Sequence, residues 1–398
     1  MRAKSLLLLK YALLVVLLLG GLLVIDLGVG MLYPHVVPES YRNALNYLMQ
    51  CDTGACNAGA MRINAHSYLH YTNTPLFEDK GMKQHNADGY RNTADFNLVA
   101  DSATFRILCL GGSTTYGDGE EDPDNAWPTV LQGLLQKEVD EAFPNAHWRI
   151  EVMNGGLNSG TSFEEVLHYL FKGRNYAPDM VLVHSGGNVS RPLMLAGFKD
   201  DYSHWRRLQC SGKVQLRSGE RRAIGHSHIV KLAYALWLGG LEPSTGSPLP
   251  VSLDAKDITL AAMKANIAQN STQTFERNLT LLLSQIRQDG AQPVFMPFYF
   301  PGKRLMEEKG SKARRVAELK LNFSNYLEAY ELADRKMQDA AANVCSTMQI
   351  PMLTLPYDSI AIEHFVDQCH LDRKGQQLQA QFVARALAPR VKQLLAGT

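Results

Sequence analysis

Three side chains in this sequence have the types and spacing that nucleophilic catalysis needs: Ser113 in LGGSTTYG, and Asp367 with His370 in FVDQCHLD. A serine hydroxyl becomes a useful nucleophile only when an imidazole takes its proton, and the imidazole needs a carboxylate to fix its tautomer and stabilise its cation. Positions three apart share one side of a helical turn or tight loop. Asp367 can therefore accept from one His370 nitrogen while the other faces Ser113, 254 residues before Asp367 (367 minus 113). Each signal has a bland counterpart: serine is a favoured helix cap, and a loop histidine is usually solvated. Gly111 and Gly112 let the chain turn sharply before Ser113. Such a turn can also cradle phosphate, but the P-loop lysine and the full GxGxxG spacing are missing.

The elements that must position these groups are legible from apolar patterning. Strand-like runs fall at 105–110, 148–153, 179–184, 292–298 and 349–355, and amphipathic helical patterns at 126–143, 162–172, 272–288, 312–348 and 376–395. Short, nearly continuous apolar strands alternating with helices predict an α/β domain whose parallel sheet is covered on both faces. Chemistry in such sheets collects beyond the carboxyl ends of the strands. Ser113 follows the first strand there. After the second comes NGGLNSGTS and after the third HSGGNVS, which offer backbone N–H groups and the Asn188 amide for an oxyanion. Taken singly, each of these loops is more often a turn, because Asn and Gly favour turns for backbone reasons.

In this order the four segments resemble the blocks of the SGNH (GDSL-like) hydrolase superfamily: LGGSTTYG, NGGLNSG, SGGN and DQCH. HNADGYR, just before them, is similar to the entry segment of bacterial membrane-anchored members. The resemblance runs from about residue 85 to 395. It implies a flavodoxin-like three-layer sandwich with a central parallel sheet of about five strands, and ester hydrolysis through an acyl-enzyme. It assigns Ser113 as nucleophile, His370 as general base and then acid, and Asp367 as its orienter. The Ser113 N–H and the Asn188 side chain would serve the oxyanion. Counting from Asn154, the family's oxyanion glycine falls on Ser159, with Gly160 next, so either can supply that N–H. Val189 stands where the family often has Asp, and Gly112 where Asp usually precedes the serine. Arg191, directly after the asparagine block, is a candidate substrate contact.

The N-terminus makes a membrane anchor. Arg2 and Lys4 precede a run that is apolar from Leu6 to Ile25 except for Lys10, which reaches roughly the hydrocarbon thickness of a bilayer at about 1.5 Å per residue. Positive charge before the run and Asp26 after it favour a cytoplasmic N-terminus and an exported remainder, in a bacterial periplasm if the resemblance holds. A cleaved signal peptide is the competitor. The expected layout is an anchor over 1–33, a tether and lead-in over 34–84, and a hydrolase domain over 85–398 with an insertion at about 190–270.

That insertion holds a basic cluster of Arg206, Arg207, Lys213, Arg217, Arg221 and Arg222, fit for anionic groups or simply a solvated face. It also holds IVKLAYALWLGGL (229–241), too short to span a bilayer but suited to its surface, to capping the site or to ordinary core packing. Six cysteines, 51, 56, 109, 210, 345 and 369, permit disulfides after export, with Cys51 and Cys56 close enough to close a small loop and Cys109 read as a buried thiol. Sequons lie at Asn188, Asn270, Asn278 and Asn322.

At 398 residues, 45% hydrophobic and 20% charged, the chain is neither disordered nor a disulfide miniprotein, and its net charge of +1 gives no global basis for a nucleic-acid partner. No cofactor or metal is expected, since a CxxC pair and HExxH are both absent. The expected activity is a membrane-anchored, extracytoplasmic serine esterase acting on an acylated carbohydrate or lipid. Its alternatives are an O-acyltransferase that passes the acyl group to an envelope glycan, and a non-catalytic envelope binding or scaffold protein.

Overall fold

The computed structural model describes the chain apart from residues 1, 39–40, 43–44, 46–48, 50–61, 208–217, 241–250, 253–257, 321–322 and 398. It contains two compact units. One comprises Arg62–Arg206 with Ser252–Thr398, and the other Met1–Met61 with Arg207–Val251. In the second, helix α1 spans Arg2–Val36.

The larger unit is built on a parallel sheet of β1 (Thr104–Gly111), β2 (Arg149–Gly156), β3 (Met180–Ser185) and β4 (Gln292–Pro297), in the order β4-β3-β1-β2. Every residue of β1 and β3 is buried. Successive strand side chains point to opposite faces, so this pattern requires cover on both sides. Helices α2 (Trp127–Ala142) and α6 (Arg373–Ala396) pack together, as do α3 (Ser162–Phe171), α4 (Gln273–Gln288) and α5 (Phe323–Met348). Leu131, Leu135 and Val139 of α2, and Leu279, Leu283 and Ile286 of α4, show the spacing that buries one helical stripe.

The expected fifth strand shrinks to one parallel bridge, Phe295 to Met352, closed by Phe295 N–H to Pro351 O at 2.9 Å and Leu353 N–H to Phe295 O at 2.8 Å. Pro351 and Pro356 bracket the segment. Each lacks an N–H for the ladder, which confines pairing to the residues between them. With that bridge the order is the flavodoxin-like 2-1-3-4-5, in which the winding of the strands reverses between β1 and β3 while all stay parallel. The helical pattern expected over 312–348 resolves into Lys312–Lys320 and α5.

The segment before the sheet is more ordered than its composition announces. Ile63–His66 pairs antiparallel with His70–Asn73, and Glu78–Asp79 with Met82–Lys83. From Arg62 onward these residues belong to the larger unit.

Candidate active site

Ser113 opens a single helical turn, Ser113–Tyr116, at the carboxyl end of β1, beside the end of β3. That turn is held from behind by side chains distant in sequence. Arg91 donates to Tyr116 O at 2.8 Å and Glu120 O at 2.6 Å, and its guanidinium lies over the Tyr116 ring at 4.2 Å. His85 bridges Thr74 O at 2.8 Å and the Tyr116 hydroxyl at 2.9 Å. Asn154 Nδ2 donates to Tyr116 O at 3.1 Å, Trp127 Nε1 to Thr114 O at 2.9 Å, and Thr115 Oγ1 meets His184 Nδ1 at 2.9 Å. Gly156 is required by this packing, because a Cβ there would stand 2.1 Å from Tyr116 N.

The other end of the triad is self-contained. Val366 N–H donates to His370 O at 2.8 Å, and a Phe365–Leu371 bridge closes the loop. Asp367 Oδ1 accepts from the Cys369 and His370 amides at 3.0 and 2.9 Å. Its Oδ2 lies 2.8 Å from His370 Nδ1, and His370 Nε2 lies 2.7 Å from Ser113 Oγ. Burial opposes charge on Asp367, but the His370 hydrogen bond and charge together with the two amides hold its pKa down to about 2. Burial also opposes charge on His370. The Cys369 sulfur and the Asp367 carboxylate outweigh it and raise this imidazole well above the ordinary histidine range. His85, His168 and His184 go the other way, pushed by burial to about 4, 4 and 3, so they stay neutral and serve as packing and hydrogen-bonding groups.

The strand order with its switch point at Ser113, and the four blocks at the strand ends and before α6, decide the architecture. The fold is that of the SGNH (GDSL-like) hydrolases. No family model and no curated protein matches the chain. Among solved structures it is similar to a lipase/acylhydrolase from Enterococcus faecalis, at 13% identity and TM-score 0.37, over 72% of this chain and 96% of that one. A psychrotrophic esterase from a Pseudoalteromonas species is 11% identical with TM-score 0.36, over 72% and 98%. A GDSL-like lipase from Bacteroides thetaiotaomicron is 9% identical with TM-score 0.32, over 72% and 88%.

The remaining SGNH positions gather around Ser113. Asn188 Nδ2 donates to Gly160 O at 3.0 Å, and a Cβ on Gly112 would approach that same Nδ2 to 3.0 Å. Ser159 sits at φ +58°, and the Gly160 N–H donates to Leu157 O at 2.9 Å. This loop runs straight into α3, whose Thr161 and Glu164 form a capping box. Glu164 also pairs with His70 Nδ1 and Arg206 Nη1, both at 2.9 Å, and Arg206 Nη2 donates to Ser159 O. Arg206 is thus an interior strut of the loop that carries Ser159 and Gly160. The expectation that it joins a solvent-facing cationic cluster is corrected by its 8% side-chain exposure. Arg222 is exposed, whereas Lys213 and Arg217 lie outside the described residues. Arg191 stands on the 187–194 turn, where its charge acts on the buried Tyr330 phenol.

Sequence reasoning passed over Cys369. Its sulfur lies 3.7 Å from His370 Nδ1 and 3.9 Å from Nε2, and adjacency in DQCH was the available signal. Cys109, Cys345 and Cys369 are free thiols, and Cys109 is fully buried. Cys51, Cys56 and Cys210 lie outside the described residues. The Asn188, Asn270 and Asn278 amides each donate a hydrogen bond inside the protein, and Asn322 lies outside the described residues.

Proposed function

We propose that this chain is an acyl-ester hydrolase in which Ser113 is the nucleophile, His370 the general base and then acid, and Asp367 the residue that fixes and charges the imidazole partner. The observation that carries the reading is the unbroken pair of contacts Ser113 Oγ–His370 Nε2, 2.7 Å, and His370 Nδ1–Asp367 Oδ2, 2.8 Å. Ser113 Oγ attacks the ester carbonyl carbon as His370 Nε2 takes its proton. The carbonyl oxygen becomes an oxyanion, and donors aimed at it supply most of the stabilisation. Those donors are the Ser113 N–H, the Ser159 N–H and the second Asn188 Nδ2 proton, since a primary amide carries two and one is already given to Gly160 O. The Gly160 N–H is engaged with Leu157 O, which favours Ser159 of the two adjacent amides. Collapse of the intermediate breaks the ester C–O bond, and His370 returns the proton to the departing alkoxide. Water, deprotonated by His370, then attacks the acyl carbon, and as its bond to Ser113 Oγ breaks His370 returns that proton to Oγ and the acid is released.

The substrate class follows from the company this site keeps. A helix in the same chain, Lys10–Val36, contains an 18-residue stretch of mean hydropathy 2.7 of which none is buried. We read it as a membrane span with a cytoplasmic N-terminus, which places the esterase outside the cytoplasm, acting on an acylated carbohydrate or lipid of the envelope with Arg191 as a substrate contact. The test is a panel of aryl esters of increasing chain length and acetylated glycans, offered to the full chain in detergent micelles and to its Ser113→Ala variant. Ester cleavage lost in the variant supports the reading. Cleavage at an equal rate in both defeats it.

A further inference from the structure

The insertion helix His228–Gly240 presents an apolar stripe that none of the described residues covers. Its inner face is packed: Ala235 is fully buried in a small cluster with Tyr33, Val37, Leu45 and Ile224. Its outer face carries Ile229, Ala233, Leu236 and Trp237 at positions i, i+4, i+7 and i+8, all exposed, with Leu236 and Trp237 each at 51%. That is the periodicity of a helix face meant for an apolar partner. Leaving such a face in water forgoes roughly 25 cal/mol for each Å² of apolar area.

Helix α1 shows what the partner is. The insertion helix is fastened to it at three successive levels. The Asp26 carboxylate accepts from Ser227 Oγ at 2.7 Å and from the His228 and Ile229 amides at 3.1 and 2.9 Å, capping the insertion helix. The His228 ring closes over Gly30, where a Cβ would stand 2.7 Å away. Lys231 Nζ lies 4.9 Å from the centre of the Tyr33 ring. The two helices therefore advance together from residue 26 of α1 onward. Over that stretch α1 itself stays apolar and open, with Leu27, Met31, Leu32 and Val36 all more than half exposed. The stripe on His228–Gly240 continues this surface. Trp237 and Tyr234, in ring contact at 5.9 Å, are the residue types that settle at a bilayer boundary.

We propose that His228–Gly240 is an interfacial membrane helix whose Ile229–Ala233–Leu236–Trp237 face inserts among the lipids of the leaflet where α1 emerges. The proposal rests on the reading of α1 as a membrane span. The protein is thereby held by a span and an adjoining interfacial helix, a wider footing than a single flexible tether gives.

The test uses the full chain reconstituted in phosphatidylcholine–phosphatidylglycerol vesicles whose acyl chains are brominated, with Trp fluorescence as readout. Trp127 and Trp205 are at most 1% exposed and Trp148 is half-buried against the core of the larger unit, so both proteins carry Trp148→Phe and the quenchable emission comes chiefly from Trp237. Trp237→Phe should at least halve the emission that brominated lipid quenches, while Ser113 still takes up a fluorophosphonate. Equal quenching in both proteins, with the chain still membrane-bound after an alkaline carbonate wash, overturns the interfacial helix and leaves the span standing. Release by that wash overturns both.

Discussion

The two ends of the triad are held in opposite ways. The Ser113 turn is fixed by residues far along the chain, with Arg91, His85, Asn154, Trp127 and His184 all tying its backbone or side chains. The Asp367–His370 loop is fixed almost wholly by itself, through the Asp367 carboxylate, two amides within three residues and one short bridge. A nucleophile at a switch point must be placed relative to two strands and the oxyanion donors, so its position depends on the whole sheet. The base needs only to reach it. Damage to the first end should therefore cost stability and rate together, and damage to the second should cost rate alone.

Substitution inside the loop tests this most severely. His370→Ala should lower kcat for an aryl ester by about 10⁴-fold or more, and Asp367→Asn by about 10³–10⁴-fold, with thermal midpoints close to wild type. A large fall in the melting temperature would show that the loop is not self-contained. Asn188→Ala comes next, at about a hundredfold in kcat with little change in KM, if its amide stabilises the oxyanion. A loss below about threefold would remove it from that role. Arg91→Met should behave differently from both. It takes the Arg91 donors from the Glu120 carbonyl and from the Tyr116 carbonyl, which keeps only Asn154, around a side chain only 1% exposed, so unfolding should become easier by about 3 kcal/mol, a drop on the order of 5–10 °C, with a roughly tenfold loss of kcat.

The smallest effect is on pH dependence. His370 acts as base only when neutral, and its pKa is raised above the ordinary 6.5, so kcat/KM should climb with pH along a limb lying above that value. Activity is lost as pH falls through that pKa. Asp367→Asn removes the carboxylate that favours the imidazolium, so the limb of the residual activity should move to lower pH. A limb that moves upward would contradict the assigned electrostatics.

Much of this was legible in the sequence for physical reasons. Ser113 and Asn188 stand next to glycines at strand ends, Asp367 and His370 stand three apart shortly before the terminal helix, and β1 to β4 announce themselves as apolar runs. The struts were not legible. Arg91, His85 and Arg206 act through side-chain bonds to a backbone carbonyl, a phenol hydroxyl and a carboxylate 25, 31 and 42 residues away, and such bonds leave no periodicity. The fifth strand was overextended because hydrophobicity at 349–355 says nothing of the N–H groups that Pro351 and Pro356 lack.

Intact-protein mass spectrometry after treatment with a fluorophosphonate reads the convergence of Ser113 and His370 most directly. One phosphonyl adduct mapping to Ser113, absent in Ser113→Ala and formed far more slowly in His370→Ala, is the predicted result. An adduct on another residue, or labelling of Ser113 at the same rate without His370, would contradict it.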